Sequence, residues 1–138
     1  MARSTARAAA MQLIYEKLMG GSGDGTLDAL IAFTPEEDDA AYIDRVFTGV
    51  SEHAEELDEI IARHSPTRSI ERIARVDLCI LRLALYELRH GGDTPEPVVI
   101  NEAVELAKRF SEPASARFIN GVLGAVSRGD APAEGTEN

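Results

Sequence analysis

Apolar side chains recur along this chain at three- and four-residue intervals, and no stretch keeps the two-residue alternation of a strand. The pattern predicts a first helix over about Ser4 to Met19 with Ser4 as its N-cap, stopped by Gly20-Gly21-Ser22-Gly23-Asp24-Gly25. A short helix over about Leu27 to Phe33 follows. Thr34-Pro35-Glu36-Glu37 then predicts a strong helix start: Thr34 caps, Pro35 suits the first helical position and Glu37 closes a capping box. The acids from Glu36 to Asp39 favour the positive end of the helix dipole. Ile43, Val46, Phe47 and Val50 form the buried stripe, with a break expected near Thr48-Gly49. Leu57, Ile60 and Ile61 carry the next helix to about Arg63, where Pro66 disfavours helical geometry at Ser65 and ends it.

Ser69 is the expected cap of a long helix reaching about His90. Its apolar residues cover most of the circumference, which makes it the central helix. Gly91-Gly92 stops it, and Pro95 and Pro97 hold a short link. The next helix buries Ile100, Ala103, Val104, Ala107 and Phe110, and the last, opened by Pro113 and reaching about Arg128, buries Ala116, Ile119, Val122, Leu123 and Val126. The expectation is an all-α chain of about seven helices, a single domain over residues 1–128 with a disordered acidic tail over 129–138.

Composition sharpens this picture. The 138 residues are 44% hydrophobic with 5% aromatics and no Trp, so the core is expected to be aliphatic. No apolar run approaches the roughly 18 residues of a membrane helix, and the N-terminus carries no signal-type apolar segment. Cys79, the single cysteine, lies within Leu78-Cys79-Ile80-Leu81. It reads as an inert core thiol in a reducing, cytoplasmic setting. The net charge of -10 is unevenly spread: residues 20–62 hold twelve acidic and one basic side chain, whereas residues 63–90 hold six basic and three acidic. A locally basic segment on an acidic chain is a pattern compatible with nucleic-acid contact.

No enzyme constellation is present in the local sequence. His53, His64 and His90 do not have the four-residue spacing that places two metal ligands on one helical face, so neither metal nor cofactor is expected. The glycine run after Met19 has no Gly-Lys-Ser/Thr ending and reads as a connector. Binding is the better prospect. Arg3 and Arg7 share a face of the first helix, beside a stripe of Ala8, Gln12 and Tyr15. Guanidinium, amide and phenol together suit phosphate contact, base-edge hydrogen bonding and stacking on an unpaired base. The competing reading makes Tyr15 a half-buried core residue and Gln12 a solvated one. Arg75, Arg82, Tyr86 and Arg89 form a second stripe. Arg82, flanked by leucines, needs a carboxylate partner, with Glu102 and Glu87 as candidates, while Arg75 and Arg89 are freer to meet a ligand. Gly121 and Gly124 suggest tight helix packing.

Four segments, in this order and spacing, resemble the NusB family of transcription antitermination factors. They are Ala10-Met11-Gln12-Leu13-Ile14-Tyr15, Ile80-Leu81-Arg82-Leu83-Ala84-Leu85-Tyr86-Glu87-Leu88, Val99 to Lys108 with Asn101-Glu102 within it, and Phe118-Ile119-Asn120-Gly121-Val122-Leu123. The resemblance runs from about Arg3 to Val126. It implies an all-helical fold of two packed bundles and binding of boxA-type single-stranded RNA together with NusE, a small-subunit ribosomal protein. It also implies assembly with RNA polymerase, notably on ribosomal RNA operons. It places the RNA site at Arg3, Arg7, Tyr15, Arg117 and Phe118, to which the stripes above add Gln12 and Arg75. Phe118 also fits a core position. Asn101 and Asn120 are then expected as buried amides that lock their two helices together, satisfied by backbone or by Glu102. The chain departs from its well-known relatives in having two N-terminal arginines instead of a dense run, and its pI is about 4.7. Weak RNA binding alone and tighter binding with NusE follow from that sparseness. The alternative reading is a NusB-like homodimerisation module with reduced RNA binding.

Overall fold

The computed structural model describes residues 2–21, 37–91 and 94–129. Among these residues there are six α-helices: α1 (Ala2–Leu18), α2 (Glu37–Glu52), α3 (Ala54–Arg63), α4 (Arg75–Tyr86), α5 (Glu96–Phe110) and α6 (Pro113–Arg128). The helix expected over 27–33, the Thr34-Pro35 start and the tail beyond Gly129 lie outside the described residues. The chain forms two compact units, Met1–Glu52 and His53–Asn138.

In the first unit α1 packs on α2. α1 begins before Ser4, so the expected cap lies within the helix; alanines on both sides of Ser4 extend it, alanine being the best helix former. Every residue from Ala6 to Met11 is buried, and the four alanines among them let neighbouring chain approach α1 closely. The helix ends in a paired-glycine closure. Gly20, at φ 98°, donates its N–H to the Lys17 carbonyl at 3.0 Å, and Gly21 donates to Glu16 at 2.9 Å. α2 runs unbroken through Thr48-Gly49. Val46 and Val50 are buried on either side of Gly49, so packing outweighs the roughly 1 kcal/mol helix penalty of a glycine.

In the second unit α4 is central, in contact with α3, α5 and α6. Leu78, Cys79, Ile80, Leu81, Leu83, Ala84 and Leu85 are all buried, which is the circumferential apolarity read in the sequence. The single helix expected from Ser69 to His90 is divided into three. A 3-10 turn, Ile70–Arg72, is followed by extended Ile73 and Ala74; α4 then ends in a wider π turn, Glu87–Gly91. Ser69 makes no side-chain cap bond. The start of α4 is set instead by tertiary anchoring. Ile73 is buried in an extended conformation, and Asp77, in the first turn, accepts hydrogen bonds from Ser111 Oγ and Ser115 Oγ, each at 2.6 Å. One carboxylate thus ties the start of α4 to the end of α5 and the start of α6. α6 ends at Gly129, whose left-handed φ of 73° suits a residue without Cβ.

Candidate nucleic-acid interface

Arg3 and Arg7 converge on Tyr42 of α2. The Arg3 guanidinium lies 4.4 Å from the ring centroid and that of Arg7 5.7 Å, within cation–π range. Arg3 is 44% exposed at its side chain and stands 3.6 Å from Asp39, so it remains open to an anion at the protein surface. Arg7 differs from the expectation. It is 4% exposed, enclosed within the alanine-rich stretch of α1, and so forms the wall behind Arg3 and not a contact surface. Gln12 is exposed and Tyr15 half-buried. Arg3 and Gln12 are nine residues, or about two and a half turns, apart, and therefore lie on opposite sides of α1. A single short RNA segment cannot meet both by lying along one face. Gln12 and Tyr15, three residues apart, do share a side.

In the second unit an open groove of 740 Å³ runs between α5 and α6. Ile100, Val104 and Ala116 give it an apolar floor, and Asn101, Arg117 and Asn120 its polar edge. The Ser127 hydroxyl donates to the Glu96 carboxylate at 2.6 Å across the same pair of helices. The two asparagines are exposed, contrary to the expected buried lock. The lock is aliphatic instead: Val99, Ala103, Leu106 and Ala107 of α5 and Ile119, Val122 and Leu123 of α6 are buried. Asn101 and Asn120 fall off those stripes and are left on the solvent side. Gly121 likewise faces open space, where a Cβ would meet nothing within 4 Å, and Gly124 would meet only the end of Arg128. The tight glycine packing expected there does not occur.

Arg117 is exposed. Phe118, the next residue, is turned about 100° around the helix. It is half-buried, with the guanidinium of Arg68 4.3 Å from its ring centroid. Arg75 is exposed in the first turn of α4. Arg82 is an ion-paired residue as expected, but its partner is neither Glu102 nor Glu87. Nε and Nη2 donate to the two carboxylate oxygens of Asp58 on α3, at 2.8 and 2.7 Å. That two-point bond raises the guanidinium pKa further above its ordinary value, against the opposing effect of burial. Glu102 is half-buried on α5.

A model of the NusB family matches residues 4–128. The chain belongs to the NusB family. The transcription antitermination protein NusB of Symbiobacterium thermophilum is 40% identical over 147 aligned positions, spanning 99% of this chain and 96% of that protein. That of Acetivibrio thermocellus is 43% identical, spanning 100% and 97%. NusB of T. maritima superposes with a TM-score of 0.84 at 30% identity, covering 97% of this chain and 96% of that one. A chain from a structure of the antitermination factors NusB and NusE in complex with dsRNA superposes at 0.80 with 27% identity, covering 93% and 97%. Membership makes the chain a transcription antitermination protein and not an enzyme. No helix among the described residues is long and apolar enough to cross a membrane.

Reading the NusB-like segments alone misses three groups. Tyr42, which collects the arginines, and Arg68, which covers Phe118, gain their roles only when distant segments meet. Asp58 is ordinary in sequence, an acid beside Leu57, and only helix packing aligns it with Arg82.

Proposed function

We propose that this NusB-family protein acts in the cytoplasm as a transcription antitermination factor. It binds boxA-type single-stranded RNA jointly with NusE and enters the RNA polymerase antitermination complex, notably on ribosomal RNA operons. The observation that carries the RNA reading is Arg117, exposed on the open groove that Asn101 and Asn120 also line, while Phe118, the next residue, stands half-buried against Arg68. A cation and two amides meet two needs of an unpaired strand, a phosphate contact and base-edge hydrogen bonds, and the exposed part of the half-buried Phe118 ring adds an apolar contact. Arg3, Gln12, Tyr15 and Arg75 contribute as separate contacts, and Arg7 supports Arg3 from behind.

The few phosphate contacts that these proposed site residues provide mean little electrostatic affinity. The salt slope of log K is about -0.7 per phosphate neutralised on a single strand, so the isolated chain has a shallow slope and NusE supplies the remaining affinity. Fluorescence anisotropy with boxA-like RNA at stepped salt, with and without NusE, tests this. Arg117→Ala is expected to weaken binding about 5-fold and to flatten the slope by roughly 0.7. Tight binding without NusE at physiological salt, or an unchanged slope in Arg117→Ala and Arg3→Ala, overturns the assignment. Unchanged RNA binding with altered self-association in those variants would favour a homodimerisation module.

A further inference from the structure

His53, Glu56 and His90 come together in the second unit. His53 precedes α3, Glu56 lies in the first turn of α3, and His90 lies in the π turn that follows α4. One ligand atom from each lies within 4.8 Å of the other two. His90 Nε2 stands 3.4 Å from Glu56 Oε2, and the two imidazole centroids are 4.2 Å apart. The ring of Tyr86 backs them at 5.8 Å from His53 and 5.3 Å from His90.

Ligand atoms about 2.0–2.1 Å from a tetrahedral zinc lie about 3.3 Å from one another. The His90–Glu56 separation already matches such an edge, and His53 reaches its place with a side-chain movement of about 1.5 Å or less. We infer that these three side chains form a binding site for a divalent transition metal of the zinc class, with two imidazoles and one carboxylate as ligands and the remaining position open to water.

Three further observations support this. Imidazole donors select zinc, cobalt or nickel over magnesium and calcium, which prefer all-oxygen sites. The helix that supplies the carboxylate is acidic: Glu55 and Glu56 lie in the first turn of α3 and Glu59 follows, while its Asp58 is taken by Arg82. Finally, His90 is carried by a π turn, a rare backbone form concentrated at functional sites. All three ligands are at least partly exposed, so a hydrated ion has direct access.

The test uses the full chain stripped of metal and titrated with Zn²⁺ by calorimetry and with Co²⁺ by visible absorption. One equivalent is expected to bind in the micromolar range, with a Co²⁺ d–d band of four- or five-coordinate intensity. Zn²⁺ is expected to raise the melting temperature. His53→Ala, His90→Ala and Glu56→Gln should each weaken binding at least about 10-fold and abolish the thermal shift. Far-UV circular dichroism verifies that the variants fold. His64→Ala serves as the control, its ring Nδ1 lying 2.9 Å from the Ile60 carbonyl oxygen, and should bind as the parent does. Equal stoichiometry and affinity in a His53→Ala/His90→Ala double variant, or a weak octahedral Co²⁺ spectrum in the parent, overturns the site.

Discussion

Removing the carboxylate of Asp77 should destabilise the second unit more than any surface charge change, because one 1% exposed side chain holds three helix ends. Its two oxygens accept from Ser111 Oγ and Ser115 Oγ at 2.6 Å each. Each hydroxyl has one hydrogen, so the 3.0 Å separation between the two serine oxygens is a contact and not a third bond while the carboxylate is present. A net contribution of about 1.5–3 kcal/mol for each hydrogen bond to a charged group is offset by the cost of burying the carboxylate. In Asp77→Ala the two serines turn to each other and recover one neutral bond. The expected loss is therefore about 2–3 kcal/mol. Asp77→Asn keeps the shape, and a serine hydroxyl can reverse to accept from the amide, so only charge assistance is lost, about 1 kcal/mol. With about 2.1 cal/mol/K of unfolding entropy per residue, these losses correspond to falls of roughly 7–10 °C and 3–4 °C in Tm. Urea unfolding followed by circular dichroism measures both. The cycle with Ser115→Ala should show a coupling of about 1 kcal/mol or more. A loss under about 0.5 kcal/mol in Asp77→Ala, or a larger loss in Asp77→Asn, would refute the reasoning.

Burial pushes the Cys79 thiol up from 9.0 to about 12. The unfolded chain therefore releases this proton first as pH rises. The stabilising effect is complete below about pH 9 and falls by about 1.4 kcal/mol per unit until about pH 12. Urea unfolding at stepped alkaline pH should show that slope reduced in Cys79→Ala, and native Cys79 should react with a thiol reagent only on unfolding. Breaking the Arg82–Asp58 pair, whose side chains are 14% and 27% exposed, should cost about 1–3 kcal/mol in Asp58→Ala, discounted for solvent screening. Arg82→Lys should lose about half as much, since an ammonium cannot make the two-point bond; an equal loss would count against that geometry. Gly121→Ala places a methyl group in open space within a helix, so Tm should rise, by the equivalent of about 0.5–1 kcal/mol, and a fall would show a contact that the fold does not contain.

Helix identity was legible wherever an apolar period and a local stop signal coincided. α3 ends at Arg63 before Ser65-Pro66, as Pro66 requires, and α4 is buried around its circumference as its leucines demand. Local signals failed where a distant residue decided the outcome. Ser4 and Ser69 are good caps in isolation, yet alanine propensity extends α1 past the first, and the anchoring of Ile73 and Asp77 moves the start of α4 away from the second. Thr48-Gly49 resembles a break, but buried Val46 and Val50 keep α2 continuous.

Site residues divide in the same way. The exposure of Arg117 and the need of Arg82 for a carboxylate follow from position on a helix and the cost of burying a charge. The choice of Asp58 over Glu87 or Glu102 does not, because it depends on which helix faces α4. Arg7 looked equivalent to Arg3 one turn away, and only the enclosure of α1 separates a buried guanidinium from an exposed one. His53 and His90 have no meaningful spacing along the chain and meet because the start of α3 lies against the end of α4. By itself the sequence determined the helical class, the aliphatic core and the family, since each rests on periodicity, propensity or ordered segments along one chain. The tertiary structure decided partners and exposure, because the energy of a charge, an amide or an imidazole depends on neighbours brought from elsewhere in the chain.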